Sequence, residues 1–136
     1  MTAEMLEAFN REQFPQVDHL GLKVEHVDDN SITVSMTTAE RHLRPGGTVS
    51  GPTMMELADA AMYLLLLAQI GPVALAVTTN LNINFLRKPA PGKLVGKGRL
   101  LKLGKTLATG EFSLFAGAAD DPVAHVTMTY AIPPKR

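Results

Sequence analysis

Apolar and polar positions alternate with period two through most of this chain, and one long interval breaks the alternation. Leu22 to Val27 and Ile32 to Met36 alternate, and Asp28-Asp29-Asn30 between them has turn chemistry, so the stretch predicts a β-hairpin. Further along, Leu81, Ile83 and Phe85 alternate with Asn80, Asn82 and Asn84, which predicts a strand over 78–85. Strands over 94–103, 106–115 and 123–132 follow, separated by Gly104-Lys105 and Asp120-Asp121-Pro122. At the N-terminus, Met5, Leu6 and Phe9 recur at helical spacing over 2–14, with Thr2 as a candidate cap and Pro15 as the stop.

The interval 52–69 breaks the alternation. Its charged or amide side chains are Glu56, Asp59 and Gln69, and its leucines and methionines go right round a helical wheel. A helix apolar on every side is buried on every side. Its predicted length is roughly 27 Å, about the width of a small domain. The element order α-β-β-α-β-β-β-β has no crossover helix between the later strands, so those strands pair antiparallel. The chain is therefore expected to be one α+β domain over 1–136, with five to six antiparallel strands wrapped around one long central helix. One small sheet cannot cover the whole helix, so its remaining face is expected to meet another subunit.

The helix entrance reads RPGGTVSGPTMMELAD, residues 44–59. The Gly46-Gly47 pair lacks the Gly-Lys-Ser/Thr of a phosphate loop and the spacing of a dinucleotide fingerprint. Ser50 or Gly51 is the expected N-cap and Pro52 the first helical residue, where a missing N–H costs nothing. Free N–H groups around 51–54 can hold an anion, or a carbonyl oxygen becoming one. An ordinary helix entrance has the same look.

Asp59 is the chemical anomaly, because ionised carboxylates are rarely buried without a partner. Three readings stand open. It shares a solvent-facing stripe with Glu56, it is a structural acceptor, or it sits in a cleft as base or nucleophile.

Composition narrows the remaining classes. The 136 residues contain no cysteine, which excludes thiol and disulfide chemistry, and the four histidines lack metal-ligand spacing, so no metal is expected. Thirteen bases balance thirteen acids, which argues against a nucleic-acid partner. Residues 60–110 nevertheless hold seven bases and no acid, from Arg87 and Lys88 to Lys105. Either these are lysines guarding strand edges, or they form a rim for a polyanionic ligand. The N-terminus has no secretory pattern, and the longest apolar run, 60–68, is short for a bilayer, so no membrane association and a cytoplasmic location are expected.

Ser50-Gly51-Pro52, then Leu57-Ala58-Asp59 on a long apolar helix, then an Asn-bearing strand, resembles the hotdog-fold acyl-CoA thioesterases. The nearest branch is the PaaI-like type, related to 4-hydroxybenzoyl-CoA thioesterases. The resemblance spans nearly the whole chain. It implies a homodimer assembling into a homotetramer, a short-chain or aromatic acyl-CoA substrate, and no cofactor. It implies that the Gly51 N–H polarises the thioester carbonyl and that Asp59, across the dimer interface, is the nucleophile or base. Thr78, or Thr79 beside it, would assist. Around the substrate it implies Ser50, Pro52, Arg44 and Asn82, with Arg87 and Lys88 toward the CoA phosphates; His42, in a loop over 39–51 rich in Gly, Pro and Arg, either enters the site from there or is a solvent-exposed loop histidine. The chain departs from the family pattern at the helix entrance. Ser50 replaces the usual His, Pro52 the second Gly, and Arg44 a loop Asn. A non-catalytic hotdog module that binds acyl thioesters is the alternative. A hotdog dehydratase would need an Asp/His pair that the chain lacks.

Overall fold

In the computed structural model, residues 1–72 and 75–134 are described, those at 16–18 without their side chains. Helix α1 spans Ala3–Gln13, with Thr2 Oγ1 accepting from the Met5 N–H at 3.2 Å. A 3-10 segment, Pro15–Leu20, leads into strands β1 (Lys23–Val27) and β2 (Ser31–Thr37). The turn between them is closed by Asp28, whose Oδ1 accepts from the Asn30 and Ser31 N–H groups at 3.0 and 2.8 Å. These donors hold the Asp28 carboxyl below its ordinary value, at about 2. After a second 3-10 turn, Glu40–His42, comes helix α2, Gly51–Ile70. Strands β3 (Val77–Phe85), β4 (Lys93–Leu103), β5 (Leu107–Ala116) and β6 (Ala124–Ala131) complete the chain.

All six strands join one antiparallel sheet in the order β1-β2-β4-β5-β6-β3. Its inner face wraps α2, whose residues Leu57, Met62, Leu64, Leu65, Leu66 and Leu67 are completely buried. This is the hotdog fold. Helix α2 is long and apolar enough to cross a bilayer by length and composition, and here most of its residues are buried in the core.

Two expectations change. The outer side of α2 is partly covered within the chain, because α1 and Pro15–Leu20 pack against it and bury Leu6 and Leu20, while Met55 stays exposed. The Glu7 carboxylate fixes α1 to β1 by accepting from the Val24 N–H at 2.7 Å. The basic residues of 93–102 also do not guard an edge, since β4 lies between β2 and β5. Lys97 sits 5.4 Å from the centre of the Phe115 ring, and Arg99 pairs with Glu111 at 3.1 Å.

The sheet approaches α2 closely where its side chains vanish. A Cβ on Gly110 would come within 2.8 Å of Met62 Sδ, and one on Gly98 would enter the ring of the fully buried Phe112. Strand β3 is an edge. Every residue on it is exposed or half-buried, with Val77 and Phe85 half in solvent.

Candidate active site

The entrance loop folds as a small hairpin rather than a phosphate cradle. Leu43 bridges Val49, the Arg44 N–H donates to Thr48 O at 2.8 Å, and Gly46 and Gly47 take φ of 103° and 84°. Those values lie in the region that side chains disfavour, so the glycines shape the turn. Ser50 is the N-cap of α2. Its Oγ accepts from the Thr53 N–H at 3.2 Å, an arrangement worth about 1 kcal/mol. Gly51 is thus the first helical residue and Pro52 the second, one position later than expected. The Gly51 N–H has no intrahelical acceptor by position, and the helix dipole adds positive potential there.

Around Gly51 lies an open cleft of about 450 Å³ lined by Arg44, Met54, Phe85, Arg87 and Lys88. Three cations thus meet at one helix N-terminus. Arg87 is braced there, with Nη1 donating to Pro122 O at 2.6 Å.

Asp59 lies in a second cleft, of about 300 Å³, with Phe14, Tyr63, Val77, Thr78 and Tyr130. Thr78 Oγ1 donates a short hydrogen bond to Asp59 Oδ1. Tyr130 OH points at the same oxygen from 2.9 Å and at the Asp59 carbonyl from 3.0 Å. Burial pushes the Tyr130 phenol well above its ordinary range, with the Asp59 charge adding to the effect, so the group stays a donor. Asp59 and Glu56 are both half-exposed, as the stripe reading had it, but they take different partners. Glu56 pairs with His19, 2.6 Å from its Nε2.

A β-bulge selects Thr78. Counting back by twos from the inward Leu81 would put Thr79 inside, but the register shifts between Thr78 and Asn80. Thr78 then sits opposite Tyr130 and faces Asp59, while Thr79 Oγ1 donates to Thr129 O at 3.2 Å. Bulges commonly re-aim side chains beside active sites.

The structure thus gathers Gly51, Arg44, Arg87 and Lys88 at one cleft and Asp59 with Thr78 at another. The eight positions between Gly51 and Asp59 amount to roughly 12 Å of helix. Asn82 lines neither cleft. It pairs with Thr127 on the exposed outer face of the sheet. Ser50 and Pro52 flank Gly51 without lining its cleft.

His42 is corrected outright. It is 1% exposed, its Nδ1 accepts from the Ala39 N–H at 2.8 Å, and its Nε2 lies 3.0 Å from the His19 carbonyl. That pattern is a neutral, structural imidazole. Burial lowers its pKa below the ordinary 6.5, the Arg41 and His19 charges assist, and the His19 carbonyl and Glu56 oppose. The unfolded chain therefore binds this proton more readily than the folded one. The His42 contribution to stability is complete above pH 6.5 and is lost as pH falls through the folded value. Urea midpoints measured from pH 7.5 to 5.5 are expected to drop, with a slope of at most about 1.4 kcal/mol per pH unit from this group. His42→Gln should flatten that slope.

Tyr130 was not singled out as a site residue, though a signal was present. It shares a strand face with Val126 and Met128, alternating with His125, Thr127 and Thr129, and so points inward, where a buried phenol needs an acceptor. A larger groove, about 790 Å³ near Ile70, Thr106 and Ile132, has Lys105 as the ionisable residue in its lining and offers no carboxylate. Among the described residues no cluster of potential ligands could hold a metal ion.

Known proteins share this fold. A model of the thioesterase superfamily matches residues 46–121. A Silicibacter sp. TM1040 protein of solved structure, provisionally named a thioesterase, is 49% identical, covers 98% of this chain and 93% of its own, and superposes with a TM-score of 0.90. A variant of thioesterase PA1618 from Pseudomonas aeruginosa is 25% identical over 99% of this chain and 96% of its own, with a TM-score of 0.84. A variant of the phenylacetic acid degradation protein PaaI from Thermus thermophilus is 26% identical, over 88% of this chain and 99% of its own, with a TM-score of 0.77. With more than half of its length matched by the family model, this chain belongs to the thioesterase superfamily.

Proposed function

We propose that this protein hydrolyses acyl-CoA thioesters bearing a short-chain or aromatic acyl group. The observation that carries the reading is Asp59, a half-buried carboxylate held by two hydroxyls at the mouth of a cleft. Asp59 takes a proton from water while the water oxygen attacks the thioester carbonyl carbon. The C–S bond then breaks, and the departing sulfur takes up the proton to give free acid and CoA. Direct attack by the carboxylate is the variant in which water enters one step later. The carbonyl oxygen, gaining charge, rests on the Gly51 N–H at the positive end of α2. Arg44, Arg87 and Lys88 beside Gly51 suit the phosphates of CoA.

Roughly 12 Å of helix is too far for Gly51 and Asp59 of one chain to hold one carbonyl carbon. Strand β3, an open edge that carries Thr78 near one end and Phe85 at the other, offers the solution. Pairing two such edges about a two-fold axis sets Gly51 of one chain against Asp59 of the other. Two dimers then make the homotetramer implied by the resemblance.

Pro52 has no N–H to add at the oxyanion, so the carbonyl rests on one donor. An oxyanion donor is worth about 2.7–4 kcal/mol, and slow turnover follows. This feature also favours the second reading, a module that binds acyl thioesters without cleaving them. CoA release measured over short-chain, aryl and long-chain acyl-CoAs separates the two. Turnover favouring the short or aryl thioesters is expected. Tight binding by titration calorimetry without CoA release would replace hydrolysis with binding.

A further inference from the structure

We infer that Tyr130 is a positioning residue for hydrolysis, fixing Oδ1 of Asp59 so that Oδ2 faces the cleft and meets water. This inference rests on the thioesterase reading of the site. Its basis is the convergence of two donors on one oxygen, one of them from a buried ring. Tyr130 OH lies 2.9 Å from Oδ1, and Thr78 Oγ1 donates to that same Oδ1. Thr78 and Tyr130 are direct partners in the β3–β6 ladder, so the two donors arrive as one unit set by the bulge.

The Tyr130 donor does not move easily. The Tyr130 ring is 2% exposed and lies 6.4 Å from the Tyr63 ring, centre to centre. Its hydroxyl also reaches the Asp59 carbonyl at 3.0 Å, so one phenol spans the main chain and the side chain of the same residue. That pair of contacts sets the side-chain torsion of Asp59 as well as its distance. With Oδ1 occupied twice, the proton from attacking water goes to Oδ2. A carboxylate turned by one rotamer step would present the wrong oxygen at the wrong angle. Catalytic groups lose much of their effect when misplaced by about 1 Å. Desolvation keeps the phenol protonated, so this role persists across the working pH range.

Tyr130→Phe removes the hydroxyl and keeps the ring. The expected result is a kcat about 10- to 100-fold lower, matching the loss of one hydrogen bond to a charged group, with KM within about twofold of wild type and a cooperative melting transition lowered by several degrees. Thr78→Ser, which retains a donor, should stay within about threefold of wild type. A crystal structure of Tyr130→Phe should show the Asp59 carboxylate rotated from its place. Wild-type kcat in Tyr130→Phe, or an Asp59 carboxylate that keeps its orientation there, overturns the inference. If Asp59→Asn retains turnover, the underlying assignment of Asp59 fails instead, so the two failures are distinguishable.

Discussion

Asp59→Asn is expected to leave a folded protein that releases CoA roughly 10²–10⁴-fold more slowly than wild type, the range typical of a lost general base. The amide carbonyl can still accept from Tyr130 and Thr78, so the two hydroxyls keep a partner and the fold has no reason to open. The amide cannot take a proton from water at neutral pH, and it is a poor nucleophile. The loss should therefore fall on kcat, while KM for the acyl-CoA stays near its wild-type value. Melting temperature and kcat should be read on the same preparation. A variant that melts like wild type and still turns over at the wild-type rate would remove Asp59 from the chemistry.

The largest expected effect on stability comes from a single methyl group far from either cleft. Gly98→Ala places a Cβ inside the ring of Phe112, which lies directly across the β4–β5 ladder and is fully buried. The ring cannot move outward into solvent, because it fills the space between the sheet and α2. Overpacking of this kind costs about 1–3 kcal/mol and occasionally more. At this chain length that lowers the melting temperature by roughly 10 °C. Gly98→Ala/Phe112→Leu should recover much of the loss, because the shorter side chain vacates the contested volume. A single variant that melts with wild type would mean that the helix and sheet are less closely fitted here than the geometry requires.

Much of this architecture could be read from the alternation. Period-two runs located all six strands to within a residue or two, and the apolar interval located α2. Gly71 ends α2, its N–H donating to Leu67 O at 2.8 Å, and a glycine after an apolar run is a stop signal the sequence carries openly. Elements that depend on packing between distant segments were less legible. Nothing in the pattern of 2–20 showed that α1 and the following turn would cover part of the outer side of α2, so that side was assigned to a partner. The lysines of β4 looked like edge guards because strand order is invisible to periodicity.

The site was legible in the same uneven way. Asp59 stood out because a carboxylate on an apolar helix demands a partner. The partner hydroxyls were harder to place. A bulge adds one residue to a strand and reverses every inward assignment beyond it, and so Thr78 and Thr79 could not be separated by counting. His42 looked available because its loop is rich in Gly, Pro and Arg. Its hydrogen-bond partners are Ala39 and His19, neither of which announces itself as a histidine's neighbour.

The central claim is that Gly51 and Asp59 act on one thioester from two different chains. Mixing two inactive variants tests it most directly. Gly51→Pro removes the donor N–H at a first-turn position where proline is tolerated, and the half-exposed Phe85 ring beside it can swing aside. Asp59→Asn removes the carboxylate. Each alone should be nearly inactive on acyl-CoA. Unfolded together and refolded as a mixture, about half of the dimers pair the two variants, and each mixed dimer has one intact site, which restores about a quarter of wild-type CoA release. A mixture that forms such dimers yet remains as inactive as its parents would contradict the composite site.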